Sequence, residues 1–438
     1  MIENDPAHKI TDRPGHPEAL VRLARTLAEP TLIYCQSPAS VRRVAELLIK
    51  HGVGATRPEV QGIVQWVGAH FHPEWVVARA LARGIGVHHG RMPRALAQLN
   101  VRSFNDGLLN FLICTSTLIE GVNTAARHVV IYDNKVAKTK FDYFTFRNIQ
   151  GRSGRMFRHF VGTVHLFHEP PQAGLLDVDF PAFSQGESAS DALLVQLDAG
   201  DLRGDAERRI DRLKDQSDLS FETIRTNRHV DPTAQIALAR HIARNARSLY
   251  PTLAWRGEPS SDQLYAVCEL LFDTLLAGVN REAVRSAKQL AFLLSQLRRL
   301  GSAPAFIRAR ARADDGSQSA DDRVENALDF LRTWASFQFP RALVALERIQ
   351  EEVLSRIGLR PGSYASFAVR IENLMSPAAF TALDEYGLPL QIVERIAGRL
   401  RAAEGFDAVL DDLRRLDASS LGLSAFEARL VRDVQSTL

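Results

Sequence analysis

Two arginines stand three residues apart in a glycine-containing segment, residues 151–155, which reads Gly-Arg-Ser-Gly-Arg. Arginines at this spacing on one helical turn point the same way, so we expect Arg152 and Arg155 to face one ligand. Each guanidinium can bind two phosphate oxygens at once, and such a pair can neutralise the charge that develops as a phosphoryl group leaves. Glycine costs about 1 kcal/mol in a helix interior, so Gly151 argues against a plain solvated helix face.

Three further segments place polar residues directly after apolar, β-prone runs. Thr115 and Ser116 follow residues 111–114, and their hydroxyls and backbone N–H groups suit a nucleic-acid phosphate, although the same residues also favour a helix N-cap. The other segments follow residues 31–35 and 85–88 and contribute these candidates for phosphate contact: Gln36, Ser37, His89, Gly90 and Arg91.

These candidates also have simpler interpretations. A plain turn would account for Gln36 and Ser37, and at least one of His88 and His89 is expected to be a buried histidine with its hydrogen bonds satisfied. Two histidines without a third ligand nearby make a poor metal site, so we predict no metal bound by this chain itself.

The apolar runs alternate with helical patterns of about 12 residues. Strands are predicted over the following ranges: 31–35, 85–88, 111–114, 128–132 and 161–167. Pro38 and Pro93 each open a predicted helix. This alternation predicts a parallel sheet with helices on both faces, in which ligands bind beyond the carboxyl ends of the strands. All of the candidate segments after strands lie at such ends.

In this order, the segments resemble the second RecA-type lobe of a superfamily 2 nucleic-acid helicase of the Ski2-like branch. Residues 32–37 are similar to motif IV, 87–93 to the His-His-Gly element, 115–123 to motif V and 148–155 to motif VI. The resemblance covers roughly residues 30–168. Asn148 stands where the family usually has glutamine, which affects the reach of this one residue towards the nucleotide.

The resemblance implies ATP with Mg²⁺ as the cofactor and single-stranded DNA or RNA as the partner. It makes Arg152 and Arg155 the arginine fingers. It places these residues at ATP: Glu120, Gly121, Asn123, Asn148 and Gly151. Glu120 could instead orient its loop. It implies that one strand of nucleic acid is bound by the following residues: Gln36, Ser37, His89, Gly90, Arg91, Thr115 and Ser116.

A complete helicase of this type also needs a GxxxxGK[ST] phosphate loop (Walker A) and a DExH box, which this sequence lacks. The pair Asp384-Glu385 does not follow an apolar strand. We therefore expect a first RecA-like lobe on another chain, or removed, and no ATP hydrolysis by this chain alone. The alternative is a non-catalytic adaptor, in which the orphan lobe binds nucleic acid or protein.

The expected fold is an α/β RecA-like lobe followed by a mainly α-helical region. The predicted domains are 1–170, with an insertion at 53–83, a linker or small helical module at 171–235, and an all-helical accessory domain at 236–438. Leucine and isoleucine stripes, among them one ending at Ile357, predict core-facing helices. Residues 314–322 are acidic and predict an exposed loop. Residues 221–228, which include Arg225 and Arg228, suggest a small winged-helix-like module.

Composition is consistent with this interpretation. The net charge of +3 is mildly basic and fits nucleic acid without requiring it. The three cysteines, Cys35, Cys114 and Cys268, lack metal-binding spacing, which favours reduced thiols in a cytoplasmic protein. No signal peptide or run of about 18 apolar residues is found, so no membrane partner is expected.

Overall fold

A computed structural model describes residues 2–4, 16–119, 124, 126–136, 139–152, 162–172, 180–186, 189–313 and 316–438. Its strands are β1 (Ile2–Asn4), β2 (Thr31–Tyr34), β3 (Ile85–His88), β4 (Phe111–Cys114), β5 (His128–Ile131), β6 (Lys135–Val136), β7 (Thr139–Lys140) and β8 (Gly162–Leu166). The strands predicted from the apolar runs are therefore confirmed to within one or two residues.

Among the described residues, six strands form one parallel sheet in the order β1-β8-β5-β2-β4-β3. The central strand β2 pairs with β4 and β5, so that Thr31 lies beside both Phe111 and His128. Every residue of β2, β3 and β4 is buried. Full burial explains why these strands are continuously apolar, since helices cover both faces of a parallel sheet. The predicted RecA-like sheet is confirmed. Strands β6 and β7 form a separate antiparallel hairpin.

Helices make up most of the remaining described residues. In chain order they are α1 (His16–Thr26), α2 (Pro38–Lys50), α3 (Gln61–His70), α4 (Val76–Leu81), α5 (Arg94–Asn105), α6 (Ser116–Ile119), α7 (Tyr143–Gln150), α8 (Pro181–Ser184), α9 (Asp191–Leu194), α10 (Asp205–Asp215), α11 (Phe221–Thr226), α12 (Pro232–Arg244), α13 (Ala246–Leu253), α14 (Ser261–Phe272), α15 (Ala287–Leu300), α16 (Ala303–Arg312), α17 (Ala320–Asp329), α18 (Phe339–Arg356), α19 (Ala365–Glu372), α20 (Ala378–Ala382), α21 (Leu390–Ile396), α22 (Phe406–Arg415) and α23 (Ala425–Gln435). A π-helical stretch, Phe330–Gln338, joins α17 to α18.

The chain divides into two compact units. The first comprises Met1–Leu176, Ile307–Leu328 and Ala378–Leu438, and the second comprises Asp177–Phe306 and Asp329–Pro377. This grouping differs from the linear division at residues 170 and 235, because two segments far along the sequence pack with the sheet. A pattern along the sequence shows which residues are apolar, but it does not show which distant surface they cover.

The first of these segments reaches the insertion at residues 53–83, which contains α3 and α4. Helix α4 has no side-chain cap from its own preceding residue. Asp321 supplies the cap instead, because its Oδ1 accepts the N–H of Val76 at 2.5 Å, and its Oδ2 lies 3.2 Å from Nη2 of Arg79. Arg42 pairs with the neighbouring Asp322 at 2.6 Å. The prediction of an exposed loop is therefore wrong at Asp321, which is buried.

The second segment caps α5. The preceding residue, Pro93, has no side chain that can accept a hydrogen bond, and Asp384 takes its place. The Asp384 carboxylate accepts the N–H groups of Arg94 at 3.0 Å and Ala95 at 3.3 Å. Glu385 pairs with the Arg94 guanidinium at 2.8 Å. The Asp-Glu pair thus anchors this segment to the lobe.

The second unit is helical in its described residues, as predicted for the region after the lobe. The leucine stripe of α15 is buried, and so are Leu346, Ile349 and Val353 of α18. Ile357 is the exception, at 53% exposure, because α18 ends at Arg356 and Ile357 follows the helix. The expectation that this side chain faces the core is wrong. No described helix of either unit has the length and hydropathy needed to cross a membrane.

Candidate ATP and nucleic-acid site

Three loops meet at the carboxyl edge of the sheet, after β2, β3 and β4. The N–H of Cys35 donates to the carbonyl of Cys114 at 2.8 Å, and the N–H of Thr115 donates to the carbonyl of His88 at 3.2 Å. These bonds continue the sheet pairing one residue beyond each strand. The structure therefore brings together the Gln36-Ser37, His89-Arg91 and Thr115-Ser116 segments that the sequence places far apart.

The loop after β2 is fixed by a carboxylate from β5. Asp133 follows β5, and its Oδ2 accepts the N–H of Gln36 at 2.9 Å and the hydroxyl of Ser40 at 2.5 Å. Ser37 caps α2 by accepting the N–H of Ser40 at 3.3 Å. Sequence analysis did not select Asp133. Its signal was the same one used elsewhere, a polar residue directly after a buried strand.

The histidines at the loop after β3 are part of the local structure of the protein interior. Both rings are buried, and Nδ1 of His89 accepts the N–H of Arg91 at 3.3 Å. Burial lowers the pKa of His88 to about 4, and the nearby Arg94 charge acts in the same direction. His88 is therefore neutral at physiological pH. Gly90 and Arg91 are the partly exposed residues of this loop.

The loop after β4 is also partly committed to local structure. The Thr115 hydroxyl is buried and lies 3.0 Å from that of Thr117, while Ser116 begins the short helix α6. Ser116 is half-buried. Three predicted ATP-binding residues that follow in this segment lie outside the described residues: Glu120, Gly121 and Asn123.

Helix α7 carries the next candidates to the same edge. Asp142 caps α7 by accepting the N–H of Thr145 at 2.7 Å, and the helix packs against α6 and β5. Asn148 and Gly151 are exposed. Helix α7 ends at Gln150, so Arg152 lies in the turn that follows the helix. The prediction that Arg152 lies on a helical turn is therefore wrong. Arg155 lies outside the described residues.

The position of Arg152 is indicated by its effect on a cysteine. Burial raises the pKa of the Cys114 thiol, and the Arg152 guanidinium opposes that rise. Cys114 is the last residue of β4, so the Arg152 charge acts at the carboxyl end of this strand, directly before Thr115. This charge therefore acts beside the loops that are predicted to bind ATP and the nucleic-acid strand.

The described residues fit half of a phosphate site. Arg152 provides the cation, while Asn148 and Gly151 provide an exposed amide and an exposed backbone. Across the described ranges, no group of three or more His, Cys, Asp or Glu side chains could hold a metal ion. All three cysteines are buried free thiols.

This arrangement of sheet and loops is that of a RecA-like helicase lobe, and comparison with known proteins agrees. Residues 73–158 match the family described as helicase conserved C-terminal domain. The lobe is similar to the C-terminal region of superfamily 2 helicases of the Ski2-like type, and a mainly helical region follows it.

Three relatives illustrate the similarity. Anti-bacteriophage protein B of Escherichia coli is 29% identical over 416 residues, which is 92% of this chain and 56% of the relative. The ATP-dependent DNA helicase Hel308 of Pyrobaculum calidifontis is 31% identical over 84 residues, covering 18% of this chain and 12% of Hel308. The RNA helicase DExH14 of Arabidopsis thaliana is 44% identical over 78 residues, covering 16% and 4%. The chain thus spans about half the length of the first relative and small parts of the others.

Proposed function

We propose that this chain is the C-terminal half of an ATP-dependent nucleic-acid helicase or translocase. In this proposal, Arg152 and Arg155 complete an ATP site on a first RecA-like lobe that carries the phosphate loop and the DExH box. The observation that carries the proposal is the convergence of three strand-end loops at the carboxyl edge of the sheet, with α7, the helix just before Arg152, packed against β5 of the same sheet. When bound, ATP with Mg²⁺ would supply the phosphoryl group and its counter-ion.

Each lobe residue has a separate role in this proposal. Arg152 stabilises negative charge that grows on the phosphates in the transition state. Asn148 and Gly151 offer a hydrogen-bonding amide and a backbone that allows close approach. Arg91, Gly90 and Ser116 hold the backbone of a single strand of DNA or RNA. Asp133 keeps the Gln36 turn in place for the same strand.

A reconstitution assay tests the catalytic role. The chain alone is expected to show no ATP turnover, and addition of a separately purified first lobe from a superfamily 2 helicase is expected to restore turnover stimulated by single-stranded nucleic acid. Arg152→Ala should reduce that turnover by about 10³-fold or more, as for other arginine fingers, with a smaller change in ATP affinity. Arg247→Ala, which removes an exposed arginine of α13, is the control for loss of charge.

Near-normal turnover of Arg152→Ala in the reconstituted enzyme would show that the arginine assignment is wrong. No turnover with any first lobe, combined with intact nucleic-acid binding, would favour the non-catalytic adaptor. Binding itself should be insensitive to sequence and weaken with salt. Arg91→Ala should make the log–log salt slope shallower by about 0.7, the contribution of one phosphate contact on a single strand.

A further inference from the structure

A cavity of about 530 Å³ is lined entirely by residues of the second, helical unit. Three structural segments form it: α11 with the turn that follows, the first part of α18, and the end of α19. Its volume falls in the range of small-molecule sites, which is about 300–1,000 Å³. The cavity is therefore large enough to hold an organic ligand and not only water.

The cavity has an excess of positive charge. Four arginines line it, Arg225, Arg228, Arg341 and Arg348, together with His229 and a single carboxylate, Glu372. The pKa of His229 is lowered by burial and by the charges of Arg341, Arg228 and Arg348. Because all four arginines line the same cavity, their charges lie near one another although they come from separate parts of the sequence.

Most of this charge is not neutralised by the protein. Arg225 lies 3.5 Å from Asp198, which is a long and exposed pair. Arg348 donates to the amide oxygen of Asn227 at 3.0 Å, a neutral partner. In the described ranges, neither Arg228 nor Arg341 forms an ion pair with a carboxylate. Partly buried charges are usually paired, and Arg341 is the one of these four arginines that is partly buried, so it is the strongest candidate to bind an anion.

Arg341 is the clearest case. It is half-buried, and desolvation lowers the pKa of its guanidinium. The guanidinium carbon lies 4.2 Å from the centre of the Phe337 ring. This stacking fixes the plane of the guanidinium while its N–H edges stay available for hydrogen bonds. A fixed fork of N–H donors matches two oxygens of a phosphate group.

Most of the remaining lining is apolar. The apolar residues are Val230, Pro340, Val344, Ala345, Ala368 and Val369, and the polar residues Thr226 and Asn227 complete the lining. Inorganic phosphate would use the arginines but not this apolar surface. A nucleotide would use both, with its phosphates on the guanidinium groups and its base on the apolar wall. Glu372 can accept a hydrogen bond from an amino or hydroxyl group, which a nucleotide also carries.

We propose that this arginine-lined cavity is a second ligand site, independent of the helicase lobe, that binds a nucleotide unit through its phosphate. The unit is either a free nucleotide or one nucleotide of a strand, since both present the same phosphate and base. The site is distinct from the ATP site proposed above, because it shares no residue with the lobe.

The test uses isothermal titration calorimetry on the full chain in an Arg91→Ala, Arg152→Ala, Arg155→Ala background, which removes the lobe arginines assigned above. The probes are ATP without Mg²⁺, an unphosphorylated and a 5′-phosphorylated thymidine 12-mer, and inorganic pyrophosphate. We expect a nucleotide probe to bind in this background. Adding Arg228→Ala or Arg341→Ala should weaken binding at least tenfold, while adding Arg247→Ala should leave it unchanged. Tighter binding of ATP would identify a free nucleotide, and tighter binding of an oligonucleotide would identify a strand.

Three results would overturn the proposal. The first is no binding of ATP or either oligonucleotide in the lobe-variant background. The second is binding that survives both Arg228→Ala and Arg341→Ala. The third is equal affinity for pyrophosphate and ATP, which would show a phosphate site without a nucleotide. Arg341→Lys guards against misfolding, because it keeps the charge and loses only the fork, so it should bind more weakly than Arg341 and more tightly than the alanine variant. Loss of ATP hydrolysis in the reconstituted enzyme has no bearing on these measurements.

Discussion

The cap that Asp384 places on α5 provides the sharpest test of how the first unit is held together. Asp384→Ala removes the acceptor of two backbone N–H groups, those of Arg94 and Ala95, and Pro93 cannot replace it. Loss of a helix cap costs about 0.5–2 kcal/mol, and the upper part of this range is expected because two donors lose their partner. We therefore predict a loss of about 2 kcal/mol at the start of α5.

Asp384→Asn separates the hydrogen bonds from the charge. Asparagine is as good a cap as aspartate, so this variant should lose little at neutral pH. Burial raises the pKa of Asp384 to about 6, above that of the unfolded chain. The folded state thus holds the proton more tightly, and the stability from this group is fully present below about pH 4 and is lost as the pH rises through about 6. Asp384→Asn should lack this loss.

Hydrogen exchange of the α5 amides measures both effects at the site. At neutral pH, Asp384→Ala should exchange about 30-fold faster than the wild type, the equivalent of about 2 kcal/mol. The ratio of Asp384→Asn to wild-type rates, taken at each pH so that intrinsic exchange cancels, should fall between about pH 4 and 6. Amides of α15 in the second unit serve as the internal control. Unchanged α5 exchange in Asp384→Ala, or a ratio independent of pH, would refute the capping argument.

Three further predictions concern other long-range contacts. Asp133→Ala should lower the free energy of unfolding in urea by about 1–3 kcal/mol and weaken single-strand binding, because the Gln36 N–H and the Ser40 hydroxyl lose their acceptor. Asp133→Asn should cost less, and equal behaviour of the two variants would count against this role. Asp321→Ala should lower the free energy of unfolding by about 3 kcal/mol or more in the same measurement, since it leaves Arg42 and Arg79 without a buried partner. A decrease below about 1 kcal/mol would contradict the pairing. Gly387→Ala should lower the Tm of thermal unfolding more than Gly422→Ala. Both glycines have positive φ, but a Cβ at Gly387 would lie 2.7 Å from Oε1 of Gln98, whereas no atom lies within 4 Å of a Cβ at Gly422. Equal shifts in Tm would argue against the close approach.

Much of the lobe could be predicted because its information is local. Each buried strand is an unbroken apolar run that ends in polar residues, as at Cys114-Thr115, and each crossover helix has its own start signal. In a parallel sheet, this order places the carboxyl ends of neighbouring strands on one edge. The meeting of the Gln36, His89 and Thr115 loops therefore followed from the sequence, although the pairing of β2 with both β4 and β5 was visible only in the structure.

The roles of individual side chains within that edge were less predictable. Ser37, His89 and Thr115 each had a functional and a structural interpretation, and the structure shows a local hydrogen bond for all three. A short polar side chain next to a turn can bond to its own backbone or to a ligand, and the sequence is the same in both cases. Asp133, in contrast, accepts hydrogen bonds from Gln36 and Ser40, which follow a different strand, so its role could not be predicted from its own segment.

What the sequence by itself determined was the α/β lobe, the order of its strand-end loops and the helical nature of the rest. Only the tertiary structure decided which distant segments complete the lobe and where the arginines of the second unit gather. Asp321 and Asp384 bond to amides 245 and 290 residues away along the chain. Arg228 and Arg341 come together from separate elements. The physical reason is that apolar and polar periodicity reports whether a residue is buried within its own helix or strand, whereas the partner of a buried charge is set by the packing of the whole unit.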